Sequence, residues 1–308
     1  LSGIADEKGR ILHKITQPTN AHNGADDVLN RMCADIRQLQ QKVCASPQEI
    51  AALVVGSPGP VYYPDGIVGH APNLGWISLN LKQELKARLG REVVVENDAN
   101  MAAMGVYYFE YHCSHRNLLY ITVSTGIGGG IIINGRIYRG STGGAGEFGH
   151  MVIDPGGAEC SCGRRGCWEA LASGTAIARE ARELISQGRG KAILAAGPPD
   201  GTISAREVGI AARHDDPEAL AIINQVAELL GRGISNLVNI FNPDMVVLAG
   251  GVAVGLQDLL LQPVTDIVNA SVFKMHSEKL TINVSSMGND IGLLGCIAFA
   301  LTGMERSS

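Results

Sequence analysis

Thr125-Gly126-Ile127-Gly128-Gly129-Gly130, Glu147-Phe148-Gly149-His150 and Cys160-Ser161-Cys162-Gly163-Arg164-Arg165-Gly166-Cys167-Trp168-Glu169 all fall within residues 125–169. The first segment is a glycine-rich loop between two apolar runs, 118–124 and 130–133. Clustered glycines let backbone N–H groups converge on a phosphate, because no Cβ blocks the approach. No Gly-Lys-Ser/Thr follows, so this is not a Walker loop. A strand and the hairpin signal Asn134-Gly135 follow instead of a helix, which excludes a dinucleotide fingerprint. The competing reading is a plain glycine-rich hairpin.

The cysteine segment is sharper. His150, Cys160, Cys162 and Cys167 supply one imidazole and three thiolates, the donor set of a structural tetrahedral zinc site. Gly163 and Gly166 allow the tight turn that brings Cys162 and Cys167 to one ion. Four protein ligands leave no open position, so the expected role is structural. The second nitrogen of His150 then remains to orient a neighbour. Three buried free thiols are the alternative. Glu147 and Glu169 read either as ordinary surface acids or, each one step from a glycine loop or metal ligand, as part of a polar ligand site.

Outward from this stretch, Glu96-Asn97-Asp98-Ala99-Asn100 closes an apolar run, 93–95. Asp98 therefore sits where α/β proteins place ligands, at the C-terminal end of a buried strand. It is a candidate general base, and equally a candidate N-cap for the Ala/Met-rich helix that follows. Asn73, in Ala71-Pro72-Asn73-Leu74-Gly75-Trp76, reads alone as a turn residue.

The rest of the chain alternates strands and helices. Residues 2–6 and 10–16 read as a hairpin, 26–43 as a helix, and 50–55 as a buried strand entering Gly56-Ser57-Pro58-Gly59-Pro60. Residues 175–185 read as a helix and 188–201 as an exposed Gly/Pro-rich connection. Asp216-Pro217 opens a long helix to about 241, 244–248 and 280–284 are strands, and 291–301 is a closing helix. This order indicates an α/β protein with repeated halves. Strand–glycine loop–strand is also how actin-like and hexokinase-like folds hold nucleotide phosphates.

Composition narrows the class. A net charge of −5 over 308 residues and 5% aromatics argue against a nucleic-acid-binding body. No apolar run reaches the roughly 20 residues a bilayer requires, and no signal peptide is visible. Seven cysteines, with Cys33, Cys44, Cys113 and Cys296 scattered in apolar or helical contexts, fit a reducing cytoplasm.

Together, Ser124 to Gly130, Gly146 to His150 and Cys160 to Gly174 resemble the ROK family of sugar kinases and sugar-responsive repressors, and within it the bacterial glucokinases. The likeness continues through Glu96 to Asn100, Asn242 to Gly251 and Gly292 to Gly295, and so covers nearly the whole chain. The resemblance implies a two-domain actin-like/hexokinase-like (ribonuclease H-like) α/β fold with a cleft. The smaller domain would be 1–113 plus 288–308 and the larger one 114–287. It implies ATP-dependent phosphorylation of a hexose 6-hydroxyl, glucose first, with Asp98 as base. Gly59, Asn73, Asn97, Glu147, His150 and Glu169 match the sugar-binding positions. Thr125, Gly126, Gly128 and Gly129 match a phosphate loop, and Gly250 and Gly251 the adenosine-side turn. Structural zinc, Mg²⁺ with ATP, a cytoplasmic setting and a homodimer or homotetramer complete the expectation, with no nucleic acid and no membrane as partner.

One element of the family pattern, a first strand ending in Asp-x-Gly-Gly-Thr, does not stand before Leu1. The expectation is that an upstream piece is absent, and that residues 1–308 alone turn over ATP poorly while retaining sugar binding. The alternatives are the body of a ROK regulator without its DNA-binding domain, or a kinase for N-acetylmannosamine or N-acetylglucosamine.

Overall fold

A computed structural model describes residues 1–43 and 46–304. The chain opens with an antiparallel pair, β1 (Ser2–Ala5) and β2 (Ile11–Ile15), followed by helix α1 (Ala25–Lys42). Strands β3 (Val54–Ser57), β4 (Val61–Tyr62), β5 (Ile67–Ala71) and β6 (Trp76–Asn80) come next. Asn80 caps α2 (Leu81–Leu89), and β7 (Val94–Asn97) runs directly into α3 (Asp98–Gly105). β3 and β7 pair in parallel, whereas β4, β5 and β6 form an antiparallel sheet of their own.

The second half begins with β8 (Leu118–Val123), β9 (Ile127–Ile133) and β10 (Arg136–Ile137). Asn134 and Gly135 turn the β9–β10 hairpin with φ of 52° and 73°, as their sequence demands. After the cysteine segment come α4 (Trp168–Ala172), α5 (Gly174–Ser186), α6 (Lys191–Ala195), α7 (Ala205–Ala212) and α8 (Pro217–Phe241). The chain finishes with β11 (Met245–Ala249), α9 (Gly250–Gly255), α10 (Gln257–Ser271), α11 (Lys274–Ser277), β12 (Thr281–Val284) and α12 (Ile291–Met304). Five of these strands form one mixed sheet in the order β10-β9-β8-β11-β12.

Period-2 alternation divides that sheet's side chains between two cores. Leu119, Ile121, Val246 and Leu248 join the helices α5, α7, α8 and α10 on one face. Leu118, Tyr120, Met245 and Val247 meet α3 and α12 on the other. A third core sets α1 and α2 against Val61, Val68, Trp76 and Val95. Helices α3 and α12 cross with their backbones in contact. A Cβ on Gly105 would stand 2.6 Å from the Ile291 carbonyl, and one on Gly295 would strike that of Met101. The closing helix thus packs against α3 of the first half.

Several sequence expectations need correction. Residues 50–55 are not a buried strand: pairing begins at Val54, and Ile50, Val54 and Val55 are only half-buried. The cause is the free edge of β3, which faces the free edge of β1 across a cavity of about 900 Å³ between α1 and α12. The 188–201 connection contains α6, whose Ile193 is fully buried. Cys113 is exposed with φ 56° and is no buried hydrophobe. Cys44 lies outside the described residues. Among the described residues no helix is long and apolar enough to cross a membrane.

Candidate active site

The strand β7 delivers its last residues to the N-terminus of α3. Asn97, not Asp98, is the cap: its Oδ1 accepts from the N–H groups of Ala99 at 2.9 Å and Asn100 at 3.1 Å. Asn97 Nδ2 donates to the Gly59 carbonyl at 3.0 Å, which leaves one of its two amide protons for a ligand. Gly59 has φ 81°, and a Cβ there would strike the His70 carbonyl. With the cap supplied by its neighbour, Asp98 accepts from the Ala99 N–H of its own helix at 2.9 Å, and its side chain is exposed. Crowding by the surrounding protein pushes its pKa up to about 6, and the Glu147 carboxylate adds to the rise by repulsion.

Glu147 precedes a short 3-10 turn, Phe148–His150, that lies flat on β9. Phe148 is buried, and a Cβ on Gly129 would strike its ring. A Cβ on Gly146 would come within 2.6 Å of the Gly129 carbonyl, and one on Gly149 would strike that of Ile127. Glycines on both sides of this contact let the turn sit against the strand, with Glu147 exposed and His150 half-exposed.

Glu169 comes from α4, and a Cβ on Gly149 would lie 3.3 Å from its Cβ. Trp168 is fully buried against Gly233 of α8 and donates from Nε1 to the Leu229 carbonyl at 2.9 Å, which anchors α4. Glu169, the next residue, accepts from the Ile127 N–H at 3.0 Å through Oε2. A side chain on Gly126 would strike this carboxylate oxygen.

The glycine loop is shorter than the sequence suggested. Only Ser124, Thr125 and Gly126 turn, because Gly128 and Gly129 lie within β9, paired with Thr122 and Ile121. Packing explains most of the run: Gly126 makes room for Glu169, Gly129 for Phe148, and Gly130 for Ala99 and Ala103 of α3. The turn itself is held by the N-terminus of α5. The Gly174 N–H donates to the Ser124 carbonyl at 2.7 Å, and Thr175 Oγ1 to the Thr125 carbonyl at 2.7 Å. Gly250, with φ 88°, begins α9 so close to β8 that a Cβ would stand 2.5 Å from the Val123 carbonyl and 2.7 Å from Thr122 Oγ1. Thr125, Gly126, Gly250 and Gly251 therefore gather at the C-terminal ends of parallel β8 and β11, where such sheets bind ligands. Thr122, Ser124 and Thr175 belong to the same neighbourhood. Their only sequence signal is a hydroxyl within or beside an apolar run.

Asn73 stays apart. It is exposed in the turn Pro72–Leu74 and makes no hydrogen bond among the described residues.

Behind Glu169 lies the candidate metal centre. The donor atoms of His150, Cys160, Cys162 and Cys167 all lie within 4.8 Å of one another. His150 Nδ1 is 3.7 Å from Cys160 Sγ, and Cys162 Sγ is 3.6 Å from Cys167 Sγ. Ligands bonded tetrahedrally to one zinc stand roughly 3.3–3.8 Å apart, so the donor set fits that ion. With Nδ1 turned to the thiols, His150 keeps Nε2 for another partner.

A profile described as the ROK family matches residues 2–303. The glucokinase of Halalkalibacterium halodurans is 34% identical over 93% of this chain and 87% of its own length. Xylose repressors also match, one from Caldicellulosiruptor bescii at 33% identity over 87% of this chain and 67% of its own length. Among solved structures, a ROK hexokinase from Thermus thermophilus superposes with a TM-score of 0.80 and 31% identity, covering 99% of this chain and 95% of that one. A ROK family glucokinase from Streptomyces griseus, in complex with glucose and AMPPNP, gives a TM-score of 0.78 and 32% identity over 98% and 95%.

Proposed function

Since the chain belongs to the ROK family and has the two-domain α/β fold of its hexokinases, we propose that it is an ATP-dependent kinase of a hexose 6-hydroxyl, glucose first. One observation carries this: Asn97 fills the cap of α3, which leaves the Asp98 carboxylate, raised to about 6 mainly by the surrounding protein, uncommitted to the cap just past the end of β7. A carboxylate with that pKa is ionised at neutral pH yet basic enough to accept a proton from an attacking hydroxyl.

The chain's own residues divide the work. Glu147, Glu169, His150 Nε2, Asn97, Asn73 and Gly59 hold the sugar's hydroxyls and present the 6-hydroxyl to Asp98. As the hydroxyl oxygen bonds to the γ-phosphorus, its proton passes to Asp98 and the bond to the β–γ bridging oxygen breaks, releasing ADP. Thr125, Gly126 and Gly128 receive the phosphates, with Gly129 supporting them from within β9, and Gly250 and Gly251 flank the adenosine. Mg²⁺ brought with ATP supplies neutralising charge to the transferring group. Phosphoryl transfer asks mainly for positioning and electrostatic stabilisation, which these rigid turns offer.

The four-donor cluster holds structural zinc in this reading, bracing the segment that carries Glu147, His150 and Glu169. The cleft lies between 1–113 plus 288–308 and 114–287, in a cytoplasmic homodimer or homotetramer that binds no nucleic acid. Light scattering on the purified protein tests the assembly.

The xylose repressor matches support a second reading, a sugar-responsive regulator body. Coupled ADP release over a panel of hexoses, N-acetylmannosamine and N-acetylglucosamine distinguishes the readings. Turnover selects the kinase and its substrate; sugar binding without turnover in the full-length protein selects the regulator.

A further inference from the structure

Glu96 stands one residue before the capping Asn97 and is completely buried. Its Oε1 accepts from the Asn97 N–H at 2.9 Å and from Asn100 Nδ2 at 3.0 Å. Its Oε2 accepts from Arg139 Nε at 2.6 Å. Among the described residues, Arg139 is the one cation within ion-pair distance of this carboxylate.

Arg139 comes from a different part of the fold, just past β10 at the edge of the five-stranded sheet. Its carbonyl accepts from the Ala145 N–H at 3.1 Å, so the backbone is fixed as well. The guanidinium carbon lies 4.0 Å from the centroid of the Tyr63 ring and 5.8 Å from that of Phe299. The Tyr63 contact and the Glu96 ion pair hold the planar fork from two directions, a geometry that an ammonium would not reproduce.

We propose that Arg139 is a positioning residue for Asp98: it neutralises buried Glu96, which in turn fixes the Asn97–Asn100 turn from which Asp98 projects. A carboxylate shielded from water stays ionised only with a counter-charge. Ionised, Glu96 accepts from both Asn97 and Asn100, the residues flanking Asp98 and Ala99. Without Arg139 the buried carboxylate loses its one ion-pair partner among the described residues, and the turn it holds loosens. Arg139 touches neither sugar nor nucleotide and acts only through this relay. The proposal rests on the kinase reading of Asp98.

The test compares the wild type with R139M, R139K, E96Q and the double variant E96Q/R139M, in steady-state ADP release and thermal melting. R139M is expected to lower kcat by about 10²-fold, the scale of a misplaced catalytic group, with KM for ATP within about twofold of wild type. R139K, which keeps the cation, recovers about tenfold of that loss. E96Q/R139M removes both charges while leaving an amide oxygen for Asn97, and its kcat returns to within about fivefold of wild type. Should R139M fail to fold, R139K and the double variant carry the comparison. R139M with kcat within twofold of wild type, or losses that simply add in the double variant, overturns the proposal. A full-length wild type without turnover overturns the kinase reading itself and this inference with it. An active wild type with an unaffected R139M overturns this inference alone.

Discussion

Glu169 accepts a hydrogen bond from the Ile127 N–H at 3.0 Å. The residue expected at the sugar therefore also fastens the turn expected at the phosphates. Glu169→Ala is expected to raise KM for hexose and for ATP alike, each by about tenfold, the scale of one charge-assisted hydrogen bond. Steady-state kinetics with each substrate varied in turn measures both. A change in the hexose KM alone would show that the Ile127 contact has no bearing on nucleotide.

Asp98, at about 6, sets the pH dependence. kcat/KM is expected to fall below pH 6 by about tenfold per unit as the base takes up a proton. The stability consequence has the opposite sense from that of a salt-bridged acid. A carboxyl raised in the folded state favours the protonated form, so its ionisation weakens the fold above its folded pKa and not below 3.8. Asp98→Asn should then melt higher than wild type near pH 8 and equally at pH 3.5. Solvent reaches this side chain, so the gain is about 1 kcal/mol or less after screening, roughly 2–4 °C.

The metal centre makes a separable prediction. Purified protein should contain one zinc per chain, because the four donor atoms lie within 4.8 Å of one another, close enough to share one ion. Chelation, or Cys162→Ser, should lower the melting temperature and raise the hexose KM by about tenfold or more, through His150 and Glu169. The ATP KM should move less. Elemental analysis and paired kinetics check this, and a zinc-free protein with wild-type sugar affinity would contradict it.

Backbone contact between α3 and α12 is tested by Gly295→Ala. The added methyl would strike the Met101 carbonyl, which cannot rotate away, so a loss of about 1–3 kcal/mol in chemical denaturation is expected. Gly129→Ala should cost a similar amount against the Phe148 ring. Full stability in both would mean that the strand and helices sit further apart.

Much of this architecture was readable in the residues. The Asn134-Gly135 turn, the Asp216-Pro217 start of α8 and the buried runs that became β8 and β11 carry local signals strong enough to survive tertiary packing. The four metal donors were legible for the same reason, since their chemistry is dense and local. What escaped notice was long-range. Thr122 and Thr175 carry no sequence mark of the turn they surround. The Gly128-Gly129-Gly130 run looked like a loop because clustered glycine usually is one, and only contact with Phe148 and α3 explains it as strand. Asp98 was open to reading as its own helix cap until Asn97 was seen to fill that place.

Kinase chemistry at Asp98 stands or falls on coupled ADP release by the full-length protein, with glucose and other hexoses as acceptors and Asp98→Asn as the paired variant. The expected result is hexose-dependent ADP release that falls by about 10²–10⁴-fold in Asp98→Asn, while glucose binding by calorimetry persists. No turnover with any hexose, or an Asp98→Asn variant as fast as wild type, would contradict it.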